Sequence, residues 1–169
     1  MFIDEALYRK IITLMPIPCV DLLVRDPKGR ILLVKRKNEP ALGEWWFPGG
    51  RVHFGELRED AARRKLREEC GLAADSVEEL GTFEIILPLS TAGMQSHAIS
   101  TLFRMNCDSE SAPVLDAQSK ESAWKSKGDW LQIDLPVFVR ARIQQFHEDT
   151  SFASSGSKDP CPRMEQRPC

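Results

Sequence analysis

Two adjacent carboxylates, Glu68 and Glu69, stand near the end of a charged run, REDAARRKLREEC, framed by Gly50 and Gly71. Neighbouring carboxylates are hard oxygen donors, the kind that suits Mg²⁺ or Mn²⁺. Arg64 lies four residues before Glu68, and Glu56 eight before Arg64. A guanidinium fork matches a carboxylate or a phosphate at two points. The chemistry on offer is a divalent cation held beside an anionic substrate. A solvated charged helix is the plainer alternative, as for most charge runs. The flanking glycines and Arg64 favour the cation site.

These residues can act together only if the stretch is helical. Leu57, Ala61, Ala62, Leu66 and Cys70 recur at mostly four-residue steps and can line a buried face. Ala61, Lys65, Glu68 and Glu69 fall on an adjoining face, because residues three and four apart are helix neighbours. Pro48-Gly49-Gly50 is a turn signal ahead of the helix, and Gly71 a stop after it.

The stretch GRVHFGELREDAARRKLREECGL, Gly50 to Leu72, resembles the Nudix box, the metal and diphosphate motif of the Nudix hydrolases. Gly50, Glu56, Arg64, Leu66, Glu68, Glu69, Gly71 and Leu72 agree with the motif. The glutamate that normally follows the arginine is Lys65 here. The resemblance implies an α/β fold, a Nudix-type α/β/α sandwich with a mixed sheet.

The chain has 169 residues, 42% hydrophobic and 28% charged, enough for one domain with a core. A net charge of -2 gives no global pull toward nucleic acid or acidic membranes. No apolar run is long enough to span a bilayer, and the start, MFIDEALYRK, lacks the pattern of a secretory signal. The five cysteines are scattered without CxxC, which reads as free thiols in a reducing cytoplasm. The expected domain is 1–149. From 150 to 169 the chain is polar and rich in Ser and Pro, and is expected to be disordered.

In order, residues 4–14 read as a helix capped by Asp4, with Leu7, Ile11 and Leu14 as one stripe. Val20–Arg25 and Ile31–Lys35 read as a hairpin through Asp26-Pro27-Lys28-Gly29. Trp45-Trp46-Phe47 is a short strand leading into the motif. Val77–Leu87 and Ala98–Asn106 are further strands, with a loop over 88–96 between them. Asp108–Pro113 is a turn, Asp116–Ser122 a loop, and Trp124 a core or sheet-edge residue. Leu135–His147 is the last helix, with Pro136 in its first turn and Val139, Ile143 and Phe146 as its stripe.

Residues 2–72 are similar to the GDP-mannose mannosyl hydrolase branch, through Asp21, Lys35-Arg36, Asn38, Pro40, Gly43, Trp46 and PGGRV at 48–52. LDAQSKESAW at 115–124 is a weaker likeness of that branch's Gln-His stretch. Most Nudix enzymes attack phosphorus and gather several metal ions. Members of this branch use one ion to neutralise a nucleoside diphosphate as leaving group, while water attacks the sugar's C1. By this resemblance the Gly49 carbonyl, Glu68, Glu69 and Gln118 hold Mg²⁺, and Glu69 and Arg51 are catalytic. Arg36 and Arg51 contact phosphate. Phe2 and Ile3 pack near the base in a homodimer, aromatic stacking making sense of Phe2. Gly50, Glu56, Arg64 and Gly71 shape the motif, with Glu56 and Arg64 pairing. Asp21 either orients Arg36 or faces water on an edge strand. Lys65 either sits between Glu68 and Glu69, where its ammonium repels a second cation, or points to solvent.

Where the branch places its histidine base, this chain has Ser119, a poor base unassisted. His53, His97 and Glu121 are candidate replacements. The expected function is a cytoplasmic Mg²⁺-dependent hydrolase of a nucleotide sugar, with no nucleic-acid or membrane partner. The alternatives are a Nudix pyrophosphohydrolase cutting between phosphates and a non-catalytic module that binds a nucleotide sugar.

Overall fold

A computed structural model describes residues 4–39, 41–87, 95–108, 113–115 and 119–146. Phe2, Ile3, Pro40, Gln118, most of the expected loop 88–96, part of the turn 108–113 and the tail 150–169 lie outside the described residues.

Seven strands form one mixed sheet in the order β3-β2-β1-β6-β5, with β4 paired to β1 and β7 to β2. They are β1 (Ile17–Arg25), β2 (Ile31–Arg36), β3 (Trp45–Trp46), β4 (Gly49–Arg51), β5 (Ser76–Leu87), β6 (Ser96–Asn106) and β7 (Ser119–Lys125). Among the described residues, only β1 and β6 run parallel. The helices are α1 (Glu5–Leu14), α2 (Arg58–Cys70), α3 (Lys127–Leu131) and α4 (Val137–Phe146).

Alternation along β1 divides the core. Val20, Leu22 and Val24 pack with Ala61, Ala62, Leu66 and Cys70 of α2 on one face. Leu23 packs with Trp130 of α3 and Val139 and Ile143 of α4 on the other. That is the period-two signature of a strand buried on both sides. The expected α/β/α arrangement is therefore present.

Local chemistry sets the ends of these elements. Asp26 turns the β1–β2 connection by accepting from the Lys28 and Arg30 backbone N–H groups and from Arg30 Nε at 2.6 Å. Asp4 caps α1 through the N–H groups of Ala6 and Leu7. Glu59 and Asp60 occupy the first turn of α2, where acids favour the helix dipole. Gly71 ends α2 with φ 64°, a left-handed conformation that glycine adopts without steric penalty.

Three expectations need correction, and one helix lay outside the reading. Ser119–Ser122 belong to β7 rather than a loop, because their backbones pair with Val34, Lys35 and Arg36 of β2. Helix α3 was not foreseen in Ser-Lys-Gly-Asp-Trp-Leu; Ser126 caps it, and Trp130 Nε1 donates to the Ile31 carbonyl at 2.9 Å. Leu57 is exposed, since it precedes α2 as its cap residue instead of lying on its buried face. Leu7 and Leu14 of α1 are exposed too, and among the described residues only Ile11 of that stripe is half-buried.

Candidate active site around the Gly49 to Glu69 contact

The site begins with a register. Leu22 N–H donates to the Pro48 carbonyl and Val52 N–H to the Pro18 carbonyl. Between them Val20 faces Gly50, and Asp21 faces Gly49. In an antiparallel ladder hydrogen-bonded pairs alternate with non-bonded ones. Gly49 falls in a non-bonded pair, so its N–H and carbonyl point away from β1. The N–H meets Glu69 Oε2 of α2 at 3.0 Å. The carbonyl is left by the ladder on that same outward edge.

At Gly49 only glycine fits, because the atom an added Cβ would meet is backbone. A Cβ on Gly49 would lie 2.3 Å from the Val20 carbonyl oxygen, and one on Gly50 would lie 2.7 Å from Lys65 Cε. The turn signal Pro-Gly-Gly is thus a close-approach requirement, bringing a backbone edge against a helix carboxylate.

Glu69 is buried, only 5% exposed, with its two oxygens divided. Oε2 takes the Gly49 N–H, and Oε1 lies 2.7 Å from Lys65 Nζ. Lys65 itself is only 8% exposed. Its Nζ also lies 3.6 Å from Oε2 of half-exposed Glu68. Of the two dispositions open to Lys65, the solvent-facing one is therefore wrong. The i, i+4 step to the Glu69 carboxylate draws the ammonium inward.

Arg64 holds the preceding loop. Its Nε and a terminal nitrogen donate to the two oxygens of Glu56 at 2.7 and 2.8 Å, a two-point pair. Further bonds go to the Arg51 carbonyl and to Glu68, each 3.1 Å. Glu56 also accepts the His53 N–H at 2.9 Å. The Arg64 hydrogen bonds hold the Glu56 carboxyl down at about 2, and the same bonds push the Arg64 value up. The expected pairing of Glu56 with Arg64 is what the geometry has.

Arg51 is exposed, its guanidinium 4.4 Å from the centre of the Tyr8 ring of α1, a cation–π contact. Arg36 ends β2. Its N–H donates to the Glu44 carbonyl, and its own carbonyl accepts from Gly43 N–H.

The water-facing, edge-strand reading of Asp21 is corrected. The residue lies inside the sheet, on neither an edge nor a water-facing strand, and its oxygens are taken by Trp46 Nε1 at 3.0 Å and Ser100 Oγ at 2.5 Å. Burial raises its carboxyl to about 6; the bonds from Ser100 and Trp46, and then the Arg36 charge, restrain the rise. The Arg36 charge thus acts on Asp21, in keeping with the expected link between the two. Sequence reasoning missed Ser100 and Tyr8. Ser100, a polar residue inside the apolar run AISTLF, was the available signal.

The candidate bases stand on three separate elements. His53 follows β4, His97 lies on β6 opposite Ile86, and Glu121 lies on β7 opposite Lys35. Ser119, at the histidine's expected place, is buried opposite Arg36.

The donor set fits a hard divalent ion: a buried carboxylate, a half-exposed carboxylate beside it, and a backbone carbonyl turned to the same edge. Among the described residues, no group of three or more His, Cys, Asp and Glu side chains converges as a metal cluster.

Residues 15–151 match the family model described as the NUDIX domain. The chain belongs to the Nudix family. It is 38% identical over 110 residues to the low-salt glycan biosynthesis protein Agl8 of Haloferax volcanii, covering 64% of this chain and 70% of that one. It is 45% identical over 67 residues to the oxidized purine nucleoside triphosphate hydrolase of Danio rerio, covering 38% of this chain and 42% of that relative. The crystal structure of a MutT NUDIX hydrolase from Burkholderia pseudomallei superposes with a TM-score of 0.66 at 27% identity, over 78% of this chain and 98% of that one. The Nudix hydrolase reading of the motif therefore holds, and with it the family's general use of divalent metal ions. These relatives act in different settings, so the family does not by itself name the substrate.

Proposed function

We propose that this Nudix hydrolase acts on a nucleoside diphosphate sugar resembling GDP-mannose, with water attacking the anomeric carbon to release sugar and nucleoside diphosphate. The observation that carries the metal seat is the contact of Gly49 with Glu69, which puts a backbone edge and a buried carboxylate together. The likeness of residues 2–72 to the mannosyl hydrolase branch, and the glycan-biosynthesis relative, support the sugar nucleotide.

In this reading Glu69, Glu68, the Gly49 carbonyl and Gln118 hold Mg²⁺ or Mn²⁺, which supplies charge neutralisation to the departing diphosphate. Arg51 and Arg36 bind the diphosphate oxygens and stabilise the negative charge that grows there as the bond to carbon breaks. Tyr8 holds Arg51 from beneath. The Glu56–Arg64 pair fixes the loop that presents Arg51, since Arg64 also binds the Arg51 carbonyl. Gly50 and Gly71 let loop and helix meet. Phe2 and Ile3 meet the base, in a homodimer.

A panel of nucleotide sugars with Mg²⁺ in oxygen-18 water tests this directly. The label enters the free sugar if carbon is attacked. Label in phosphate, with nucleoside monophosphate as product, would establish the pyrophosphohydrolase reading instead. The relative that hydrolyses oxidized purine triphosphates keeps that second reading in play.

A further inference from the structure

The oddest residue of the site is the one that departs from the family motif. Lys65 occupies the place of a carboxylate, and the fold buries it beside the two carboxylates that remain. The end of its side chain runs past Gly50, where an added Cβ would lie 2.7 Å from Lys65 Cε. Its ammonium reaches Glu69 Oε1 at 2.7 Å, while Glu69 Oε2 stays bound to Gly49 N–H. One face of Glu69 therefore has a permanent positive neighbour. A lysine at this depth requires carboxylate partners, because an unpaired buried ammonium is costly.

We propose that Lys65 is a tethered cation standing where a further divalent ion would otherwise be drawn, and that it limits this site to one ion. The inference rests on the metal seat beside Glu69 set out above and extends it to stoichiometry. Two physical effects act together. The substitution removes a ligand, since an ammonium has no lone pair to offer. It also places a unit charge within a few ångströms of any second ion attracted to Glu68 and Glu69. The same charge weakens the first ion, because Glu69 must share its Oε1 oxygen. Lys65 is accordingly a determinant of metal number and affinity, acting through Glu69 and not on the substrate.

The test counts ions without turnover. Full-length protein is titrated with Mn²⁺, and free Mn²⁺ is read by electron paramagnetic resonance. Wild type and Lys65→Arg, which keeps the charge, should each bind a single ion. Lys65→Met keeps the stem beside Gly50 and removes the charge, and should bind that ion about tenfold tighter or more. Lys65→Glu should bind at least one ion beyond the wild-type number. Circular dichroism checks that each variant is folded. Two or more tightly bound ions in wild type would overturn the proposal even if no variant folded. Folded Met and Glu variants that titrate like wild type would overturn it as well. No bound ion in any form would remove the metal seat itself and this inference with it. The oxygen-18 experiment is a separate reading, because a site limited to one ion could still direct water to phosphorus.

Discussion

Helices α1 and α2 invert the usual rule in opposite directions. Helix α1 has an apolar stripe and leaves it in water: Leu7 is 53% exposed and Leu14 81%. Helix α2 is among the most charged stretches of the chain, yet it buries Lys65 and Glu69 alongside Ala61, Ala62, Leu66 and Cys70. Burial in α2 is arranged by partners. The Glu69 carboxylate has a backbone N–H and an ammonium, and both carboxylate oxygens of Glu56 have Arg64. Among the described residues nothing covers Leu7 and Leu14; Ile11 of the same stripe is half-buried, and Tyr8 meets Arg51. In α2 charge goes inside where partners are at hand; in α1 two apolar residues stay outside.

The sharpest way to test this contrast is Glu69→Gln. The amide removes one negative charge from the metal seat and leaves the Lys65 ammonium without its short partner. Metal-dependent turnover should fall by about 100-fold or more, since charge at the metal is the quantity changed. The melting temperature should fall as well, from the unpaired buried ammonium. An unchanged turnover number would place the chemistry elsewhere.

Asp21 carries the comparison from helix to strand. Here a buried carboxylate is held by two hydrogen-bond donors, and burial raises its value from 3.8 to about 6. A raised carboxyl means that the native state holds its proton more tightly than the unfolded chain. Its favourable contribution is complete below about pH 3.8 and is lost as pH rises through about 6. Asp21→Asn keeps the shape and cannot ionise. It should flatten stability between those limits and gain up to about 3 kcal/mol over wild type at pH 7, read from urea midpoints. A variant with the same slope as wild type would move that pH dependence to another group.

Glu56 has the opposite sign. Arg64 lowers its carboxyl from 4.5 to about 2, so its contribution is present above about pH 4.5 and lost as pH falls through about 2. Glu56→Gln should cost about 2 kcal/mol at pH 7, since it breaks a largely covered two-point pair. The gap to wild type should close as pH approaches 2. A constant gap across this range would assign the loss to packing.

Much of this was legible in the residues themselves. The spacing of Glu56, Arg64, Glu68, Glu69 and Gly71 announced a helix, its stop and its family, because turn chemistry and helical periodicity are local. The hairpin at Asp26 and the cap at Asp4 were legible for the same reason. What local patterns could not reach was who covers whom. Lys65 could face in or out on periodicity alone; what the structure adds is its 2.7 Å contact with buried Glu69, whose other oxygen is held by Gly49 of another element. Asp21 took its neighbours from β3 and β6, far along the chain. Strand β7 escaped notice because Ser-Lys-Glu-Ser is polar, and its pairing to β2 is a tertiary choice.

The smallest effect falls on α1, and it sharpens the contrast most economically. Leu7→Ser with Leu14→Ser removes two apolar side chains that a single copy leaves in water. Substitutions at such positions usually move stability by no more than about 0.5 kcal/mol. Urea unfolding should therefore be nearly unchanged, and independent of protein concentration. A homodimer covering this stripe would behave differently. The wild type would then gain stability with concentration by mass action, and the double variant would lose that dependence. Unfolding at two concentrations a hundredfold apart thus decides whether α1 is a bare surface or half of an interface. In the first case the exposed leucines carry no more meaning than scattered surface residues. In the second, α1 obeys the same rule as α2, with its partner supplied by another molecule.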